Sequence, residues 1–272
     1  MTEEISLRGA ELNLSYHGTT VVEEGRITLR PGHVTALVGP NGSGKSTLLR
    51  GLARLHRPDS GTVTFGDGAD ALDLSAREFA KQVTLLAQSR PTPGGVRVRD
   101  VVEYGRHPYR RRWRATDPEG ATAVERAMQL TGVTPMAERP VDELSGGELQ
   151  RVWLATCLAQ DTGILLLDEP TTFLDLRYQV ELLDLMRDLA QEHGVAVGVV
   201  LHDLNQAAEV ADHIVLLHRG RVRADGPPAH VLTEDLLTDT YGIRIEVSHD
   251  DTTGTLTTRP IGRHSKTLHA TT

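Results

Sequence analysis

The sequence predicts an α/β fold, a largely parallel sheet with helices on both faces, and three observations predict it. Short apolar runs alternate with stretches of helical period. Lys45, Asp168 and His202 each follow soon after such a run, which brings all three to the carboxyl edge of the sheet, where folds of this kind hold their ligands. Between about Gln88 and Thr162 the texture changes to proline, glycine and arginine and then to helical patterns, so a helical insertion interrupts the strand–helix core.

Along the chain, residues 5–35 mix β-like runs with turn signals, and Val34–Val38 reads as a buried strand. A helix follows from about Ser46 to Leu55, and Thr62–Phe65 and Val83–Ala87 are further strands. Helical patterns cover Thr122–Thr131 and Glu148–Ala159. Strand signals resume at Ile164–Leu167 and at Val195–Leu201. Between them Leu182, Leu185, Met186 and Leu189 recur on one face of a helical wheel, with Asp175 as a capping type at its start. A short helix follows His202, then a strand at His213–Leu217 and a helix from about His230 to Tyr241. Ile245–Ile261 alternates like a hairpin with its turn at Asp250–Gly254, and the final GRHSKTLHATT reads as poorly ordered.

Composition narrows the classes. A net charge of -8 argues against a general nucleic-acid binder, because phosphate contacts need clustered Lys and Arg. The single cysteine, Cys157, forms no internal disulfide and falls in an apolar helical pattern, so a buried structural thiol in a reducing cytoplasm is expected. The longest apolar run, Val195–Leu201, is far below the ~20 residues a membrane-crossing helix needs. The acidic start MTEEISLRGA has no apolar signal region. Any membrane role is therefore expected to come through a partner.

Three motifs carry chemistry. Gly39, Pro40, Asn41, Gly42, Ser43, Gly44, Lys45, Ser46 and Thr47 match G-x-x-x-x-G-K-[ST] between a strand and a helix. Glycines let backbone N–H groups close around phosphate oxygens, and the helix start adds its positive end. Lys45 then reaches the β- and γ-phosphates and the Ser46 hydroxyl binds Mg²⁺. Ile164-Leu-Leu-Leu-Asp-Glu169 ends a buried strand in two carboxylates, Asp168 for a Mg²⁺ contact and Glu169 for a general base on attacking water. Leu144-Ser-Gly-Gly-Glu148 opens a helix. Ser145 and Glu148 there form a capping box, and the glycines and Ser145 equally offer donors to a second anion. Nothing within one chain needs that second anion site, whereas a second copy of the chain would.

With these motifs in order, the chain resembles ABC-transporter ATPase subunits from about residue 5 to about 243: Tyr16, the loop at 39–47, Gln88, LSGGE at 144–148, ILLLDE at 164–169, Asp175 and His202. The resemblance implies a P-loop NTPase core with a mostly parallel sheet over 5–88 and 163–243, an N-terminal antiparallel β subdomain, a helical subdomain at 89–162 and a C-terminal hairpin and tail at 244–272. It implies Mg-ATP bound between two copies of the chain. Tyr16 then stacks on adenine and Gln88 touches Mg²⁺ and relays to the membrane partner. Ser145, Gly146 and Gly147 bind the γ-phosphate held by the opposite copy, Asp175 crosses the dimer seam, and His202 contacts the γ-phosphate and aligns water with Glu169. Taken singly, Tyr16, Gln88 and His202 also have plain readings as packing, solvated and structural side chains.

Four stretches narrow the resemblance to bacterial ferric-siderophore importers of the ferric-enterobactin and ferrichrome type: Glu103-Tyr-Gly-Arg-His-Pro-Tyr109, Ala159-Gln-Asp-Thr162, Pro170-Thr-Thr-Phe-Leu-Asp175 and His202-Asp-Leu-Asn-Gln-Ala207. Integral membrane permease subunits, a periplasmic or lipoprotein substrate-binding protein and a peripheral place on the cytoplasmic membrane face follow from it. Cobalamin or haem importer ATPases are the neighbouring alternatives. A soluble ATPase of the cofactor-assembly kind is the rival class, while a nucleotide kinase or GTPase has no use for LSGGE or His202.

Two features stand apart. Glu148 replaces the glutamine of many relatives and is expected to point away from the nucleotide, leaving Ser145 and Gly147 unaffected. The basic run Arg106–Arg114 has three readings: a solvated face, a contact with acidic groups of the membrane partner or lipid, or, with Tyr109 and Trp113 interleaved, a nucleic-acid contact.

Overall fold

The computed structural model describes residues 6–88, 94–110, 117–172, 174–250 and 254–263. The chain opens with strands β1 (Leu7–Tyr16) and β2 (Thr19–Leu29). The two-residue turn between them, His17-Gly18, has φ of 50° and 79°, the mirror-image turn that matches strand twist. Strand β3 (Val34–Val38) leads through the glycine loop into helix α1 (Lys45–Leu52), and β4 (Ser60–Phe65) returns to β1. Strands β2-β1-β4 form an antiparallel sheet. Helix α2 (Ala76–Ala80), closed by a Ser75–Glu78 capping box, precedes β5 (Val83–Leu86).

The insertion holds α3 (Val98–Glu103), α4 (Gly120–Leu130) and α5 (Gly146–Ala159), which close on a core of their own that includes Val101, Val124, Met128 and Val152. The main sheet resumes with β6 (Ile164–Asp168), α6 (Leu176–Gln191), β7 (Ala196–Val200), α7 (Leu204–Val210) and β8 (His213–His218). Then come β9 (Arg221–Gly226), α8 (Pro228–Val231), α9 (Glu234–Tyr241) and the hairpin β10 (Ile245–His249) and β11 (Leu256–Pro260).

The main sheet has the order β5-β6-β7-β3-β8-β9, parallel except for β9. Strands β3, β6 and β7 are buried at every position because both faces are covered. Alternate residues feed two cores: Leu167 and Val199 meet Met186 and Leu189 of α6, while Leu37 and Leu166 meet Leu48 and Leu52 of α1. Cys157 is buried, as its helical pattern predicts. No helix among the described residues is long and apolar enough to cross a membrane.

Several elements depart from the sequence reading, the short helix α2 among them. Helix α1 stops at Leu52, not Leu55, because Arg54 takes φ of 57° and the Leu55 and His56 amides bond back to the Arg50 carbonyl. The single helix expected over His230–Tyr241 is two, broken where Thr233 adopts extended backbone. Strand β9 shows only two apolar residues, Val222 and Ala224, in alternation between charged ones, too short a run to mark an edge strand. Helix α3, six residues long, is too short for a helical period to register. The hairpin turn falls partly, and the chain end almost wholly, outside the described residues.

The basic run is not a uniform solvated face. Arg106 is 2% exposed, and its guanidinium bonds both Asp117 oxygens at 2.7 and 2.8 Å and the Ala159 carbonyl at 2.9 Å. It also lies 3.9 Å from the Tyr109 ring centre, which pins the start of α4 and the end of α5 together. Arg110 pairs with Glu103, and residues 111–114 lie outside the described residues. The Arg106 guanidinium holds the Asp117 carboxyl below the usual carboxylate range. That stabilisation is present above the ordinary aspartate range and is lost as pH falls through the lowered value. Arg106→Leu should cost about 2 kcal/mol in urea unfolding, because it strands Asp117, and the double change Arg106→Leu, Asp117→Leu should recover most of it.

Candidate functional site

Gly39, Gly42 and Gly44 have φ of 143°, 75° and 100°, all in the region that favours glycine. A Cβ on Gly39 would lie 2.1 Å from the Leu217 carbonyl oxygen, so no other residue fits there. The loop therefore closes over the end of β3 and delivers Lys45 and Ser46 to the first turn of α1. Lys45 is 5% exposed, and its ammonium donates to the Gly39 and Pro40 carbonyls at 2.9 and 3.1 Å. Burial lowers its pKa, while the nearby Glu169 and Asp168 carboxylates push the other way. The buried Ser43 hydroxyl has no hydrogen-bond partner among the described residues, an orphaned group at the phosphate-loop wall.

From β6, the fully buried Asp168 accepts from the Ser46 hydroxyl at 2.6 Å and from Arg50 at 3.3 Å. Glu169 then turns at φ of 55°, unusual for a residue with a Cβ, and its carboxylate leaves the strand line. One oxygen meets His202 Nε2 at 2.7 Å and the other accepts from Gln88 Nε2 at 2.5 Å. Ends of β5, β6 and β7 thus supply Gln88, Glu169 and His202 to one point. These three line a hollow of about 380 Å³ together with Asn41, Gly42, Gly44, Lys45, Ser46, Thr47 and Val21. A carboxylate held on both oxygens beside a buried ammonium and a ring of backbone N–H groups can grip a polyphosphate and polarise water against it.

Tyr16, Asp175 and Ser145–Gly147 do not line this hollow. Tyr16 ends β1 with its ring 4.3 Å from that of His56 and 38% of its surface exposed. Asp175 caps α6, accepting from the Tyr178 amide at 3.0 Å. Ser145 and Gly146 are exposed at the start of α5. A Cβ on Gly146 would meet nothing within 4 Å, and one on Gly147 only Leu174 at an ordinary 3.5 Å. Neither has positive φ, so nothing among the described residues requires glycine at either position.

Glu148 does not leave Ser145 untouched. Its carboxylate turns back and accepts from both the Ser145 amide and its hydroxyl at 2.8 Å, with Arg139 at 3.3 Å behind it. These bonds, Ser145 first, hold the Glu148 carboxyl below the ordinary range. The capping box thus draws in the side chain that charge repulsion alone would turn outward.

Two residues escaped the sequence reading. Arg50 stands one helical turn beyond Ser46, a spacing that could have flagged its contact with Asp168. Gly220, in the β8–β9 turn, donates to the Ser43 carbonyl at 3.1 Å and accepts from the Glu23 amide at 2.8 Å, bracing the loop from behind. Only the Arg-Gly turn signal points to it.

A family model described as ABC transporter matches residues 22–172. The chain is 45% identical over 267 residues to the ferric enterobactin transport ATP-binding protein FepC of Escherichia coli (strain K12), covering 97% of each chain. It is 41% identical over 266 residues to the achromobactin transport ATP-binding protein CbrD of Dickeya dadantii (strain 3937), covering 98% of each. The solved dimeric structure of MJ0796, a bacterial ABC transporter cassette, matches with a TM-score of 0.72 at 26% identity, over 82% of this chain and 98% of that one. The chain belongs to the ABC transporter family, as an ATP-binding subunit that hydrolyses ATP.

Proposed function

We propose that this subunit powers import of ferric-siderophore complexes, working as an ATP-bridged homodimer on the cytoplasmic face of the membrane. The observation that carries the dimer is the pair Gly146 and Gly147 at a helix start. Gly146 is exposed and Gly147 half-buried, neither has positive φ, and a Cβ on either would meet at most Leu174 at an ordinary distance, so the pair is open to an anion arriving from outside the chain. The cargo rests on the two relatives above, which transport ferric enterobactin and achromobactin by name.

In this reading Gly39–Thr47 wraps the triphosphate of one ATP, and Lys45 swings from the Gly39 and Pro40 carbonyls to the β- and γ-phosphates. Tyr16 stacks on the adenine. Ser145, Gly146 and Gly147 of a second copy close on the γ-phosphate, and the turn at Asp175 lies along the seam. Glu169 takes a proton from water, while His202 holds the carboxylate and meets the γ-phosphate, and Gln88 reports occupancy to the insertion at 89–162. The residues fit a Mg²⁺ ion: the Ser46 hydroxyl and the Asp168 carboxylate, already 2.6 Å apart, offer oxygen donors that would hold it, with Gln88 across the hollow. Bound there, Mg²⁺ would offset the charge of the β- and γ-phosphates.

Permease subunits would dock in the groove of about 560 Å³ between core and insertion, where Leu55 and Tyr104 are 67% and 53% exposed beside Phe79, Leu85 and Trp153. Leu55→Asp with Tyr104→Asp should weaken co-purification with the permease about tenfold while ATP binding by the free subunit stays unchanged. In proteoliposomes containing the permease, a binding protein loaded with ferric siderophore should stimulate hydrolysis and drive radioiron uptake. Stimulation by cobalamin or haem instead would overturn the cargo, and a subunit that associates with no permease would overturn import.

A further inference from the structure

Beneath the Glu169–His202 contact a second cross-link joins the same two loops. The Thr171 hydroxyl, two residues past Glu169, donates to Gln206 Oε1 at 3.2 Å. Gln206, four residues past His202 in the first turn of α7, donates through Nε2 to Gln179 Oε1 at 3.0 Å. Gln179 Nε2 in turn donates to the Leu174 carbonyl at 3.0 Å, the residue before Asp175. All three side chains are half-buried.

The direction of this chain of bonds is fixed by chemistry. A backbone carbonyl can only accept, so Gln179 must present its nitrogen to Leu174 and its oxygen to Gln206. Gln206 must then present nitrogen to Gln179 and oxygen to Thr171, whose hydroxyl supplies the last donor. Each group has one role, and reversing either amide leaves a donor facing a donor or an acceptor facing an acceptor. In the Glu169–His202 contact the His202 ring is 44% exposed and, among the described residues, bonds only to Glu169, while Gln88, itself exposed, holds the other Glu169 oxygen. What sets its length is the separation of the two loops that carry it.

We infer that Gln206 is a positioning residue for hydrolysis: through Thr171 and Gln179 it fixes the helix after His202 against the segment running from Glu169 to Asp175. This rests on the roles given above to Glu169 and His202. A shift of Leu174 and Asp175, when a second copy meets the seam, would be passed along the same bonds to His202.

The test uses the full chain and four variants, with turnover and KM for ATP measured beside thermal unfolding. Gln206→Leu and Thr171→Val should each lower kcat about tenfold with KM within about twofold, since misplaced catalytic groups cost rate and not binding. Thr171→Ser, which keeps the hydroxyl, should turn over like the unaltered chain. In a His202→Ala background Gln206→Leu should cause no further loss, because it acts through the residue already removed. The same fold loss in both backgrounds, or an unchanged kcat in folded Gln206→Leu and Thr171→Val, would overturn the inference alone. A His202→Ala chain with undiminished turnover would overturn the site reading and this inference with it.

Discussion

Glu169→Gln is expected to lower ATP turnover about a thousandfold while nucleotide binding stays intact. In the proposed site the phosphate grip belongs to Gly39–Thr47, Lys45 among them, and none of these bonds the Glu169 carboxylate, so the change should leave it in place. What is lost is a group able to take a proton. A glutamine there keeps the size of the side chain but gives one nitrogen and one oxygen where the structure uses two acceptors. If the oxygen stays with His202, the nitrogen faces Gln88 Nε2, a donor against a donor, and Gln88 must turn its amide. Both consequences act at the same carboxylate, and neither weakens ATP at the seam. The variant should therefore accumulate as an ATP-bound dimer, seen as a doubling of mass by light scattering on adding Mg-ATP. Undiminished single-turnover hydrolysis would remove Glu169 from the role of base.

How much of this was legible beforehand depends on how local the signal is. The glycine loop, the two carboxylates at the end of β6 and the histidine after β7 stand in runs of defined residue type, and a parallel sheet places all such run-ends on one edge. Their convergence on one edge needs no other information, although only Glu169 of the two carboxylates lines the hollow, Asp168 being buried on Ser46 and Arg50. The cross-link of Thr171, Gln206 and Gln179 was not legible, because three ordinary polar residues far apart in sequence have no pattern until the loops meet. Arg106 shows the opposite failure. Its neighbours in sequence are basic, which suggested a surface run, yet burial against Asp117 and Tyr109 decides its role. Strand β9 and the split at Thr233 are illegible for a third reason, since two alternating apolar residues and a one-residue break are signals too short to register. Glycines at 146 and 147 can be read as a helix start, and the room a Cβ would find at both is visible only in the structure.

Lys45→Ala should have the opposite signature to Glu169→Gln, a loss of about a hundredfold in ATP affinity, or about 3 kcal/mol, at the binding step itself. The side chain is buried, and its three donors find two carbonyl acceptors within the loop, leaving one for a ligand. Removing it takes a cation from the triphosphate and also leaves the Gly39 and Pro40 carbonyls without their tie. Lys45→Arg should not restore binding, because a planar guanidinium cannot point at two carbonyls and a phosphate as a compact ammonium does. The same lysine gives binding a pH dependence with a definite sign. Burial holds its pKa below the ordinary lysine value, and the charge of a triphosphate should raise it, so binding should take up protons in the interval between the two. Affinity should then fall as pH rises through that interval, with heats of binding that change with the buffer's ionisation enthalpy. In Lys45→Ala that slope should vanish along with the affinity, whereas in Glu169→Gln the lysine remains and so does a slope of the same sign. A Lys45→Ala chain that binds fluorescent ATP as tightly as the unaltered one would show that backbone N–H groups alone hold the triphosphate.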